Sequence, residues 1–413
     1  MFPMRGFRLS LPLPKPLRTD GMAPHPRRVT FTVLVALSLA GAGFAADLPR
    51  AEPADVGLSG KRLQRADNLL RAVVDQGDLA GAVGLVVRHG HVAYFEAHGR
   101  ADDDRPMGRD AIFRIASMTK PVTAAAVLAL YEQGAFRLQD PVSAYLPEFA
   151  DVRVLVPDSL RAVVDSATVP AQRPIRISDL LTHTSGLTYH WNDRVGDQLW
   201  EQKIPHGLHQ VEGTLADAMG RLARIPLVHS PGQAWTYGLG LDVAGRLVEV
   251  VAGQDLFSYM ESRIFDPLEM DDTGFYLGKK RAARLAAVYS KNAAGTLQRM
   301  VADSTYMMGQ TLGFSIDYPT DGPTHYYAGG GGLCSTAGDY GRFAQMLANG
   351  GELDGKRILS RKSVELMASD HVGTLLPDYG FGLGVAVIRD PGEFSELSSP
   401  GAFTWGGFFS THF

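Results

Sequence analysis

Residues 118–133 carry apolar side chains on almost every helical face: Val122, Ala124, Ala125, Ala126, Val127, Leu128 and Leu130, with Gly134 closing the run. The spacing predicts a helix with no water-facing side, and such a helix is stable only when other elements wrap it. The chain can supply that wrapping. Its 413 residues are 45% hydrophobic and 20% charged, enough for a large core. Lys120, near the start of the run, has no obvious route to solvent.

Around this helix the pattern alternates. Leu63, Ala66, Leu70, Val73 and Val74 predict an amphipathic helix over 61–75. Gly84–Val87 and Val92–Phe95, joined by Arg88-His89-Gly90-His91, predict a β-hairpin. Further helices are expected at Leu241–Val251, stopped by Gly253, and at 337–349, capped by Thr336. Strands are expected at 381–388 and 402–409. The expected class is α+β, with residues 47–115 and 325–413 forming an antiparallel sheet flanked by helices and 116–324 an all-α insert.

Arg27 and Arg28 precede an apolar run from Val29 to Leu39, and Gly43-Phe44-Ala45 places small residues before a cleavage point. This predicts a secretory signal peptide over 1–45 and a periplasmic or secreted product. The run is short for a stable membrane span, and an uncleaved anchor is the alternative. Met22 lies at a better distance from the arginines than Met1, so residues 1–21 are expected to be a mis-assigned start. A net charge of −4 offers no basic footprint for nucleic acid. The single Cys334 excludes an intrachain disulfide, and no metal-ligand spacing or cofactor motif is present.

Ser117 is the only serine followed three positions later by a lysine. Residues i and i+3 share a helix face, so the amine can reach the hydroxyl. Serine is a weak nucleophile until a base takes its proton, and a desolvated lysine can serve. The free N–H groups at a helix start favour the negative charge that then develops. A lone Ser-x-x-Lys is expected about once by chance in a chain of this size. The competing reading is a capping serine and a surface lysine, against which the apolar helix argues.

Phe113-Arg114-Ile115-Ala116-Ser117-Met118-Thr119-Lys120-Pro121 resembles the nucleophile segment of the class C β-lactamase superfamily of serine hydrolases. That superfamily includes D-alanyl peptidases and family VIII carboxylesterases. Further stretches resemble it in the same order: 140–147, Leu180-Leu181-Thr182-His183-Thr184-Ser185-Gly186-Leu187, Pro231–Tyr237, Ile264–Leu268 and Gly329–Leu333. The resemblance runs from about Pro53 to the end. It implies the β-lactamase/D-alanyl peptidase fold, Tyr237 as the proton-exchanging phenol, and an oxyanion hole from the amides of Ser117 and Phe408. Trp405-Gly406-Gly407 resembles the esterase branch's substrate strand.

Two departures bear on substrate. Leu239 stands where lactam hydrolases of this kind keep an asparagine, and Trp405 where they keep a lysine. Losing both polar groups leaves Leu239, Trp405, Gly406 and Gly407 as an apolar substrate surface. An uncharged small-molecule ester is therefore the expected substrate, with β-lactamase or D-alanyl carboxypeptidase activity as the alternative and a catalytically weak binding homologue as a third reading. Relatives continue past the strand at which this chain stops, so the strand at 402–409 is expected at an exposed edge or paired elsewhere.

Other residues are read structurally. His183 is expected to satisfy hydrogen bonds, Asp102–Asp104 to form a solvated loop, and Asp140 to cap a helix begun by Pro141. No Gly-x-Ser-x-Gly elbow supports His183 as a Ser–His base. Tyr189, His190 and Trp191 are either core or pocket wall.

Overall fold

A computed structural model describes residues 48–156, 167–209, 211–301, 304–307, 311–394 and 397–413. The predicted signal peptide and its start lie outside the described residues. Among the described residues, no helix is long and apolar enough to cross a membrane.

Helix α1, Gly60–Asp75, opens where the Ser59 hydroxyl accepts from the Arg62 amide. It lies on a hairpin of β1 (Gly81–Arg88) and β2 (His91–Gly99), paired antiparallel from Gly81↔Gly99 to Arg88↔His91 with a bulge at Val86/Val87. The turn needs two left-handed residues in succession, and His89 and Gly90 adopt φ of 53° and 76°. Asp67, buried on α1, accepts from Tyr94 and His98 of β2 at 3.0 and 2.7 Å and so ties helix to hairpin. On the other face, helix Ala337–Ala348 reaches β1 closely because Gly341 has no side chain: a Cβ there would meet Leu85 at 2.4 Å.

The apolar run forms a 3₁₀ turn, Ala116–Met118, leading into α2, Thr119–Glu132. Every residue of α2 from Thr119 to Leu130 is buried, as its composition requires. Strand β3, Ile112–Arg114, delivers the chain to this turn and pairs antiparallel with Cys334–Thr336. The middle of the chain supplies α3 (Ile177–Leu181), α4 (Gly196–Glu201), α5 (Leu215–Leu222) and α6 (Gly240–Ala252). Helix α6 packs along α2, flanked by α3 and α5, and ends at Gly253 with φ of 70°. One continuous apolar core joins these helices to the hairpin and to Ala337–Ala348.

Several expectations are refined. Among the described residues the middle segment is not purely helical: it also holds three short antiparallel pairs, at Arg153–Leu155/Thr168–Pro170, Tyr289–Lys291/Leu297–Arg299 and Ser304–Met307/Thr311–Phe314. The second follows from Asn292, whose side chain accepts from the amides of Ala294 and Thr296 and folds the turn. The strand expected at 381–388 is itself a tight hairpin, Gly380–Phe381 with Ala386–Val387, because Gly384 adopts φ of 78°. Phe403–Thr404 adds the third strand. Among the described residues this sheet and the β1–β2 hairpin are separate. Asp140 is not a helix cap: it closes a turn by accepting from the Arg137 amide and the Tyr145 hydroxyl, and Pro141 sits at the cap position. Asp103 and Asp104 are exposed, as expected of a solvated loop, and Asp103 also accepts from Tyr289 at 2.9 Å.

Candidate active site

Ser117 sits at the junction of β3 and α2, partly accessible to solvent, while its neighbours Ala116 and Met118 are buried. Ala116 holds φ of 43°, a left-handed conformation unusual for alanine. Strain of this kind needs surrounding structure to maintain it, and here it turns the chain sharply into the helix. Ser117 lies in the first helical turn, where N–H groups lack intrahelical acceptors.

The Ser117 hydroxyl is contacted from two sides. Lys120, one turn along α2, donates to Oγ at 3.1 Å, and Tyr237 Oη donates at 2.7 Å from a segment 120 positions away. Tyr237 stands in the loop that runs into α6, so the packing of α6 on α2 sets this second distance. Lys120 Nζ also lies 4.7 Å from the centre of the Tyr237 ring. The three residues that sequence reasoning nominated therefore meet around one oxygen.

Lys120 has no solvent exposure, yet its surroundings are richer in oxygen than the expected apolar pocket. Nζ donates also to Tyr189 Oη at 3.0 Å and to the Gly330 carbonyl at 2.5 Å. The segment Gly329–Leu333 is stitched to α2 at two further points. Thr123 donates to the Gly329 carbonyl at 2.7 Å, and Thr119 accepts from the Leu333 amide at 3.0 Å. Burial, with Tyr237 and Asp242 nearby, pushes the Tyr189 phenol well above its ordinary range, so it stays protonated. Sequence reasoning noticed Tyr189 but could not pair it with Lys120, because no spacing rule links residues 69 positions apart.

His183 occupies φ of 57°, and its Nδ1 accepts from the Gly238 amide at 3.3 Å. Its carbonyl accepts from the Thr236 amide at 2.8 Å, and its ring centre lies 4.6 Å from that of Tyr237. Burial, with Lys120 beside it, holds its pKa well below the usual histidine value, so the ring is neutral. It grips the segment that carries Tyr237 and makes no hydrogen bond to Ser117.

The strand expected at 402–409 is confined to Phe403–Thr404; Trp405-Gly406-Gly407 follows it, with an isolated bridge from Gly406 to His412, and lies against the nucleophile segment. A Cβ on Gly407 would fall 2.3 Å from the Ile115 carbonyl, and Thr411 donates to that same carbonyl at 3.3 Å. Trp405 is buried against Tyr237 and Phe381, with ring centres 5.6 and 5.2 Å away. Phe408 packs with Phe409 against a small apolar cluster that includes Ala116. Leu239, expected on the substrate surface, is instead wholly buried in the core. It precedes the first turn of α6, and its side chain faces the packed interior. Trp191 and Trp235, both half-buried, stack at 6.4 and 6.1 Å from Tyr237 and extend the aromatic wall.

A sheet-and-helix fold that brings a serine, a lysine and a phenol together at the start of a buried helix is an arrangement for acyl transfer to oxygen. The chain belongs to the beta-lactamase family, whose model matches residues 66–413. It is 37% identical over 358 residues to Protein Rv1367c of Mycobacterium tuberculosis, covering 83% of this chain and 84% of that one. It is 33% identical over 350 residues to Esterase EstB of Burkholderia gladioli, with 82% and 84% covered. Among solved structures it resembles EstCE1, titled a hydrolase with promiscuous acyltransferase activity. There the TM-score is 0.72 at 29% identity, over 84% of this chain and 87% of that one. The fold is thus of the β-lactamase/D-alanyl peptidase type, α+β.

Proposed function

We propose that this protein hydrolyses carboxylic esters of small molecules through an acyl-enzyme on Ser117. The observation that carries the reading is the placement of Ser117 Oγ between Tyr237 Oη at 2.7 Å and Lys120 Nζ at 3.1 Å. Similarity to Esterase EstB supports the choice of an ester. So does the aromatic wall of Trp191, Trp235 and Trp405, which offers no cation to a substrate carboxylate.

In this reaction the Ser117 proton passes to the Tyr237–Lys120 pair as Oγ bonds to the substrate carbonyl carbon. The carbonyl π electrons move onto oxygen, and the oxyanion rests on the amides of Ser117 and Phe408. Collapse breaks the bond to the leaving oxygen, which takes the proton held by the pair. Water then repeats the sequence: the pair takes its proton, its oxygen attacks the acyl carbon, and Ser117 leaves with a proton restored. No cofactor or metal enters. The arginine-led apolar leader at 1–45 supports export to the periplasm or beyond, which N-terminal sequencing of the mature protein tests: a first residue near Ala46 is expected.

A short-chain aryl ester and a chromogenic cephalosporin, assayed side by side, test the substrate class. Faster ester turnover is expected, and faster cephalosporin turnover would replace the ester reading with a lactam one. Ser117→Ala should abolish both ester turnover and labelling by a fluorophosphonate probe. Persistent labelling would move the nucleophile elsewhere, and a folded wild-type chain that takes no label would favour a binding role.

A further inference from the structure

Near Lys120 lies a carboxylate to which the proposed reaction gives no role. Asp242, in the first turn of α6, is almost wholly buried. Its Oδ1 accepts from the Gly330 amide at 3.2 Å, while Oδ2 is buried and has no hydrogen-bond partner. The carbonyl of the same residue accepts from Lys120 Nζ at 2.5 Å. The Gly330 backbone therefore bridges the two, its N–H facing the carboxylate and its carbonyl, in the next peptide unit, facing the amine. Gly330 can fill this place only without a side chain, since a Cβ would meet Asp242 Oδ2 at 2.4 Å and Tyr189 Oη at 3.0 Å.

An unpartnered carboxylate oxygen in a core is costly and calls for an explanation beyond packing. The groups facing Asp242 are Lys120 from α2, the phenols of Tyr189 and Tyr326, and the Gly330 amide. Lys120 is the only cation in that set, and it too is fully buried. A carboxylate and an amine, both excluded from water and bridged by the Gly330 backbone, interact more strongly than they would at a surface. Burial raises the Asp242 carboxyl to about 6, with Lys120 and the Gly330 amide opposing, so it is charged at neutral pH and above.

Resting on the ester-hydrolase reading, we propose that Asp242 is a positioning residue of the reaction. It aims the Gly330 carbonyl at Lys120 and supplies the buried negative charge against which the lysine–tyrosine pair exchanges its proton. Tyr189 Oη, lying beside the same Gly330 Cα, completes the set of oxygens that fixes where the amine points.

The sign of the consequence follows from the charge. Asp242 carries its charge above about 6 and loses it as pH falls through that value, so the wild type loses the positioning charge there, and a variant without the carboxyl has no such loss to show. In Asp242→Asn, the acid limb of kcat/KM for an aryl ester should move to lower pH by about one unit or more. The kcat at neutral pH should fall while KM stays nearly unchanged, because Asp242 does not reach the substrate face. A uniform loss across the whole pH range with an unmoved limb would reduce Asp242 to a structural role and overturn the proposal. Asp242→Glu retains the charge one methylene further out and keeps the question open to test should the asparagine variant not fold. Its limb should stay with the wild type, and a limb displaced toward lower pH would overturn the proposal. Fluorophosphonate labelling of the wild type separates the two levels. Absence of label at Ser117 sinks the ester reading itself, whereas normal labelling with an unmoved limb sinks only the role of Asp242.

Discussion

Ser117, Lys120 and Tyr237 differ in how far the sequence alone could carry them. The serine and lysine are three positions apart on one helix, and that spacing brings their polar atoms to 3.1 Å. Tyr237 arrives from 120 positions away, and only the family resemblance placed it beside the serine. In the proposed reaction its hydroxyl takes part in proton transfer, so Tyr237→Phe should slow aryl-ester hydrolysis by about 10²- to 10⁴-fold. The phenylalanine ring keeps the contacts with His183 and Trp405, so urea denaturation should show a stability change of no more than about 1 kcal/mol. An unchanged turnover number would remove Tyr237 from the chemistry. The pairing of Tyr189 with Lys120, and Asp242 altogether, were illegible for a physical reason. Each residue acts on Lys120 across the packed interior, and a sequence shows periodicity along an element but not which buried polar groups face each other. Leu239 illustrates the converse: its position after Tyr237 suggested a substrate contact, whereas the start of α6 directs it into the core.

At the scale of elements, the helices were the most readable because composition and capping agree. Thr336 accepts from the Asp339 amide, as its place before the apolar run implied, and Gly253 stops α6. The strand expected at 381–388 was not readable, because its apolar residues conceal a reversal at Gly384. The union of α1 with the β1–β2 hairpin rests on Asp67, whose carboxylate accepts from His98, Tyr94, Gln64 and Arg71. Burial works to raise its pKa, but the hydrogen bonds from His98, Tyr94 and Arg71 win and hold it below the ordinary value of 3.8. A carboxylate depressed in this way contributes stability that is present above the ordinary value and lost as pH falls through its lowered one. Asp67→Asn should therefore lower the unfolding free energy by about 1–3 kcal/mol at pH 7. In urea melts the gap between variant and wild type should narrow toward pH 3. A gap that stays constant with pH would show that the charge contributes nothing.

For the whole molecule, the contact of α2 with α6 is the joint on which both stability and the candidate site depend. Helix α2 bears Lys120 and follows Ser117, and α6 follows Tyr237 and bears Asp242. Leu247, fully buried on α6, belongs to the core the two helices share. Leu247→Ala should cost about 2–5 kcal/mol of stability. Under conditions where the variant remains folded, its ester turnover should also fall, because a relaxed α6 carries Tyr237 with it; a turnover equal to wild type would uncouple the two. The Gly329–Leu333 segment, pinned by Thr119, Lys120 and Thr123, closes the same joint from a third stretch of chain. Since the parts that would activate the serine come from three separated stretches, a half-assembled polypeptide has an ordinary alcohol where the finished one has a reactive group. Hydrolytic competence then doubles as a readout of completed folding.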